Sequence, residues 1–469
     1  MMGVGAGHPR RLTRSARSAP ASALRISDSP LPLIILLCVT VLQRLAVPGS
    51  GGELGVGFVL CFAAFLYGIF KGLLVLSPQR IVLYCVAASA LLLTLFARTK
   101  EFSLLSLPML LILYAPYIAV APLAREDYVK LLKTFQTVVL FCAACALVQF
   151  LIQFPLGANA MFPLDLVLPE SFFIQGFNLR IPVTSEGAIL KSTGFWFLEP
   201  SHLSQIIAFA IVIEYMYFCR PAAFALFGAA YLTSFSGTGF ILLVGVAIAL
   251  AVQQRQMLPM VIIGIASACV LVLFRDVFPF SALVDRLSEF GNKQGSGSMR
   301  FLGPFWFVGD VIATDLRALW FGFGPGAILN LGIMLDYRVQ DSSWLKLVAE
   351  YGLFGAIPFL AFYLYCLFRR SPNLIISVAC LIQFTFLGGY LNAFYVQFLH
   401  MALAGWPKLT PGAGDGGPRE GNSKDDDRRR SYRAGSAIGA GRGLAVRPLP
   451  ADAAHRPAHP SFRPGSVRR

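Results

Sequence analysis

The segment Trp196–Gln205, WFLEPSHLSQ, sets a carboxylate, a helix-starting proline, a serine and a histidine at the lip of an apolar run. A carboxylate so placed can accept a proton, but the same residues also have an architectural reading. Proline is favoured at the first helical position because its missing N–H would be unpaired there. An acid at a helix N-terminus gains about 0.3–1 kcal/mol from the dipole. His202 taken alone reads as an interfacial histidine. A second polar cluster is SFSGTG, Ser234–Gly239, whose glycines and hydroxyls, Ser236 and Thr238 among them, suit a tight helical hairpin with capped N–H groups. A helix N-terminus with free N–H groups is equally an anion site, and both readings stay open. GFGPG, Gly322–Gly326, resembles a dinucleotide loop but has no strand before it, so nucleotide binding is not expected. Every cysteine, including the CAAC of Cys142–Cys145, lies in or beside an apolar run, where the thiol behaves as a small hydrophobe. No metal, disulfide framework or other cofactor is expected.

These groups need elements to hold them, and composition says which. The chain has 469 residues, 56% of them hydrophobic and only 13% charged, with a mean hydropathy of +0.67; an ordinary soluble domain is far more polar. Apolar runs recur at the length a helix needs to cross ~30 Å of hydrocarbon. The expectation is an all-α, polytopic integral membrane protein of about 11 or 12 spans with two large external loops. Spans are expected near 31–48, 54–70, 81–97, 103–122, 134–154, 202–218, 221–235, 238–253, 257–274 and 343–368. The run Leu374–Trp406 would reach about 50 Å as one helix, so Gly388 and Gly389 are expected to divide it.

Lys and Arg fix the orientation. Arg10, Arg11, Arg14, Arg17 and Arg25 precede the first span, and Lys71, Arg80, Arg125, Lys130, Lys133, Arg220, Arg255, Arg369 and Arg370 share their side if the helices alternate. The opposite short connections hold little beyond Arg98 and Lys100. Residues 1–30 are therefore read as a cytoplasmic segment, 31–407 as the helical domain, and 408–469 as a disordered basic tail, rich in Arg, Gly and Pro, with no nucleic-acid partner expected. Arg44 and Glu214, near span ends, are read as snorkelling side chains. Loops 155–200 and 275–342 face away from the cytoplasm. They collect the ionisable side chains, among them Asp165, Arg180, Lys191 and Glu199 in the first and Arg275, Arg286, Arg300, Arg338 and Asp341 in the second. Function is expected at that outer face.

FLEPSHLSQ, SFSGTG, the SMRFL around Arg300, GFGPG and DSSWLKLVAEYGLFG at Asp341–Gly355, in that order on a many-spanning chain, resemble the O-antigen polymerase and ligase superfamily, and most of all the Wzy-type exopolysaccharide polymerases. The likeness covers roughly Pro155–Gly355. It implies an enzyme of the bacterial inner membrane. A growing glycan on undecaprenyl pyrophosphate would pass to a hydroxyl of an incoming lipid-linked repeat unit, by an inverting, metal-independent transfer, with membrane lipids and a chain-length regulator as partners. Ligases of the superfamily carry His-Asn where this chain has Asp341-Ser342, which argues against ligase activity.

The implied reaction needs a cation beside the departing pyrophosphate, and the planar fork of arginine suits phosphate oxygens. Arg300 is the first choice by its match to the family pattern; Arg180, Arg275, Arg286 and Arg338 are candidates by location. Asp341 and Glu199 are the carboxylates placed to take the acceptor's proton, with Asp341 preferred by a narrow margin, although Asp341 could instead cap the helix that follows. Trp196, Trp306, Trp344 and Tyr351 could stack on sugar rings or anchor the chain at the interface. A flippase for the lipid-linked unit and a ligase are the competing readings.

Overall fold

In this computed structural model the described residues are 29–97, 103, 105–183, 187, 189–254, 296–332, 337 and 339–410. The N-terminal basic segment to residue 28, the expected span at 257–274, the tail from 411, and the candidates Arg275, Arg286 and Arg338 lie outside them.

The described chain is mostly helical. In order come α1 (Leu31–Thr40), α2 (Val56–Phe70), α3 (Pro78–Ala97), α4 (Ser106–Tyr114), α5 (Arg125–Leu156), α6 (Pro163–Val167), α7 (Pro200–Ile213, running on as a wider turn to Phe218), α8 (Pro221–Ser234) and α9 (Gly237–Gln254). The described part of the stretch 275–342 contributes the short α10 (Ser296–Phe301), α11 (Gly303–Phe307), α12 (Leu316–Phe321) and α13 (Ala327–Gly332). The chain then runs through α14 (Ser343–Phe368), α15 (Leu374–Phe386) and α16 (Phe394–His400, continued to Gly405). Five helices are long and apolar enough to cross a membrane: α3, α5, α7 with its extension, α9 and α14. Six shorter apolar helices of 10–17 residues accompany them, an inventory compatible with a multi-pass membrane protein. Proline opens α3, α6, α7 and α8, where its lost N–H costs nothing. Buried residues on α7 run almost without interruption from Pro200 to Ile213, so this helix is enclosed by protein on all sides.

Leu374–Trp406 is divided as expected: α15 ends before Gly388 and Gly389, a single turn spans Tyr390–Asn392, and α16 follows. Helix α5 begins earlier than the expected span and reaches 32 residues.

The described part is not purely helical. A three-stranded sheet, β1 (Val75–Leu76), β2 (Ala119–Leu123) and β3 (Pro407–Leu409), pairs β1 antiparallel to β2 and β2 parallel to β3. Ordered chain therefore continues past the boundary set at residue 408, because Lys408 pairs with Pro122.

Three charged residues near span ends are buried. Arg80, counted with the cations that share the side of the N-terminal arginines, donates its guanidinium N–H groups to the carbonyls of Tyr117 (3.1 Å), Ala119 (2.7 Å), Gly405 (2.7 Å) and Cys366 (3.2 Å). It ties the sheet to the C-terminal ends of α14 and α16. Arg44 does not snorkel: it pairs with Asp165, donates to Phe195 O at 3.1 Å and lies 4.8 Å over the Phe173 ring. Glu214 is fully buried and accepts from Arg220 Nε (2.9 Å), Nη2 (2.7 Å) and the Arg220 backbone N–H (2.8 Å), closing the turn between α7 and α8. Buried charges persist where each lone pair or proton finds a partner.

Helix α14 is broken at Gly352, whose φ of 61° and ψ of −175° suit glycine alone. The break frees the carbonyls of Ala349 and Glu350, and Phe323 N–H (2.8 Å) and Gly324 N–H (3.1 Å) donate to them. A side chain at Gly352 would meet the backbone of Trp320 and Phe321, and one at Gly322 the backbone of Glu350 and Tyr351. The glycines of GFGPG thus serve a backbone-to-backbone splice, which satisfies a broken helix from within the protein.

Candidate active site

The site grows from the first turn of α7. Glu199 is the N-cap residue in extended conformation, yet its side chain caps no N–H of the helix. Its Oε2 instead accepts from Ser201 Oγ at 2.9 Å. Thr238, at the start of α9, places Oγ1 3.2 Å from Ser204 Oγ, 3.1 Å from Ser236 Oγ and 3.4 Å from Ser201 O. Gly239 allows this approach, since a Cβ there would stand 2.6 Å from Ser204 O. The hydroxyls of SFSGTG are therefore spent on joining α9 to α7, which sets two helix N-termini side by side.

The bend between α15 and α16 closes over them. Tyr390 Oη donates to Gln205 Oε1 at 2.9 Å, and Tyr395 Oη lies 3.3 Å from His202 Nε2. Ser343 Oγ accepts from Tyr390 N–H at 3.0 Å and so brings in the N-terminus of α14. Gln340 N–H donates to Met299 O at 3.0 Å, which draws α10 and its Arg300 to the same place. Arg300 lies within electrostatic reach of His202 and Tyr390, and Glu199 within reach of Tyr390 and Tyr395. Burial pushes the Tyr390 hydroxyl well up from the usual phenol range; the Gln205 hydrogen bond and the Arg300 charge pull it back, and Glu199 adds to the rise.

Four side-chain atoms here are buried without a hydrogen-bond partner: Arg300 Nε, His202 Nδ1, Gln340 Oε1 and Ser342 Oγ. Unpaired buried polar atoms are scarce in folded proteins, and a set holding donors, an acceptor and an unneutralised guanidinium suits a ligand with anionic oxygens and hydroxyls.

Asp341 stands at the edge of this group. Its Oδ2 is 3.6 Å from Lys346 Nζ, and its carboxylate abuts Gly389. The N-cap of α14 is Ser342, not Asp341. Lys346 also faces Glu350 at 3.9 Å, and both Glu350 oxygens are buried without a hydrogen bond. Trp344 packs on Phe305 at 5.4 Å. Exposed Arg180 donates to Asn159 Oδ1 at 3.3 Å and covers the Phe162 ring at 5.3 Å, with no described contact to Arg300. Tyr351 is buried with 0% exposure, so it offers no face to a sugar. Trp306 meets Tyr337 edge-on at 5.6 Å, and Trp196 stacks on Phe141 at 6.4 Å.

Sequence reasoning missed His202 as a site residue, and with it Gln205, Tyr390, Tyr395 and Glu350. A signal existed, because Gln383, Tyr390, Tyr395, Gln397 and His400 interrupt an apolar run. They make a buried chain: Tyr363 Oη to His400 Nδ1 (2.8 Å), His400 Nε2 to Gln383 Oε1 (2.9 Å), and Gln383 Nε2 to Gln205 Oε1 (2.8 Å), which fixes Tyr390 from below. No family model matches the chain, and no curated protein matches it significantly.

Proposed function

We propose that this protein is a polysaccharide polymerase, a membrane glycosyltransferase that moves a growing glycan from undecaprenyl pyrophosphate onto a lipid-linked repeat unit at the outer face of a bacterial inner membrane. The chain would cross that membrane 11 or 12 times with its N-terminus in the cytoplasm, as the distribution of Lys and Arg favours. The observation that carries the reading is Arg300, which has no ion-pair partner among the described residues and lies within electrostatic reach of His202 in the first turn of α7 and of Tyr390. Helix N-termini and a free guanidinium both attract phosphate. A cation fixed beside the diphosphate gains most as the sugar–oxygen bond breaks and charge builds on the leaving group. Of the two carboxylates, Asp341 already faces Lys346, so Glu199 supplies the negative charge on the Arg300 side. Membrane lipids and a chain-length regulator are the partners this reading implies.

The breaks at Gly352 and at Gly388–Gly389 favour a second reading, a flippase for the same lipid-linked unit, because interrupted helices are common in transporters. Deleting the gene separates the two. A polymerase leaves single repeat units in the outer leaflet, where a membrane-impermeant sugar label reaches them; a flippase leaves them in the inner leaflet. Full-length polymer in the deletion strain, with no such build-up, rules out both. Long but unattached chains would mark a ligase.

A further inference from the structure

We propose that His202, through Nδ1, takes the proton of the acceptor hydroxyl; this step rests on the polymerase reading. The described residues hold two buried histidines with opposite bonding. His400 is satisfied at both nitrogens, by Tyr363 and Gln383. His202 is only 6% exposed, and its Nδ1 makes no hydrogen bond among the described residues. Its ring is fixed between Tyr395 (4.9 Å), Tyr390 (5.7 Å) and Phe177 (5.9 Å), with Nε2 against Tyr395 Oη at 3.3 Å. When Nε2–H donates to that oxygen, Nδ1 keeps the lone pair. An oriented imidazole with one nitrogen anchored and the other unbonded is the arrangement a general base requires.

The surrounding charges fit the role. Glu199 lies one turn earlier on the same helix, Arg300 of α10 lies within electrostatic reach of the ring, and the Tyr390 and Tyr395 phenols face it from the bend and from α16. A diphosphate held by Arg300 brings negative charge to the side of the ring where Nδ1 takes the proton, which stabilises the imidazolium as it forms. In the step, the acceptor O–H bond breaks toward Nδ1 and the acceptor oxygen bonds to the anomeric carbon. The bond from that carbon to the diphosphate oxygen breaks, and its electron pair stays on the diphosphate. The imidazolium then gives its proton to the released diphosphate.

The test is the initial rate of polymer formation by purified protein given lipid-linked repeat units. His202→Gln is expected to lose on the order of 100-fold or more in kcat, with KM changed only a few-fold. Free imidazole is expected to restore part of the rate of His202→Ala, a rescue that a packing role would not give. Thermal unfolding in detergent shows whether each variant is folded, and the glutamine variant serves if alanine is not. More than a tenth of the rate in folded His202→Gln, or no imidazole rescue of folded His202→Ala, overturns the step. Inactive wild type overturns the polymerase reading and this step together, whereas active wild type with active His202→Gln overturns this step alone.

Discussion

Arg300 is a cation whose value lies in what it does not touch. A guanidinium committed to a carboxylate has little left for a ligand; Arg300 Nε is buried and unbonded. Arg300→Ala is expected to lower polymer formation on the order of 100- to 1,000-fold with normal protein abundance. Arg300→Lys should fall between, because an ammonium cannot hold two phosphate oxygens in a fork. Turnover measured on membranes matched for protein checks this, and near-normal chain length in the alanine variant would remove Arg300 from the site. Glu199 and Arg300 were legible as candidates because each sits in a short motif whose residue types suggest chemistry. His202 was not, because its open Nδ1 shows only against partners such as Tyr395, 193 residues away in sequence. Tyr351 was misread for the same reason: an aromatic in a loop-flanking motif looks available until the main core is seen to enclose it.

At the scale of elements, apolar length foretold most helices, and Gly388–Gly389 the division of the last run, since about 50 Å of helix cannot cross in one straight piece. The break in α14 was hidden, because one glycine inside an apolar run looks like any other. Its partner GFGPG becomes intelligible only when Gly322 and Gly352 are seen lying backbone on backbone. Gly352→Ala is therefore expected to destabilise the protein by at least about 1–3 kcal/mol, seen as a lower unfolding temperature in detergent and reduced abundance in membranes. An unchanged unfolding temperature would mean that the splice can relax around a Cβ. The small sheet escaped notice because strands of two to five residues leave no periodic pattern. The burial of Arg80 escaped too, since a basic residue at a span end looks the same whether it meets water or four carbonyls.

For the whole molecule, an apolar bundle surrounds α7, and His202 in the first turn of that helix carries a buried, unpaired nitrogen within electrostatic reach of Arg300. Charge counting supplies the direction in which the bundle would lie across the membrane, with this end outward. The functional account requires an anion-binding group shielded from lipid and open to a lipid-linked glycan. The most direct measurement reconstitutes the purified protein into lipid vesicles with single lipid-linked repeat units and follows glycan length on a gel. The account predicts a ladder of lengthening chains, with polyprenyl diphosphate released for each bond formed and no ladder from Arg300→Ala. Repeat units that stay single, whether left in place or carried across the bilayer, would contradict it.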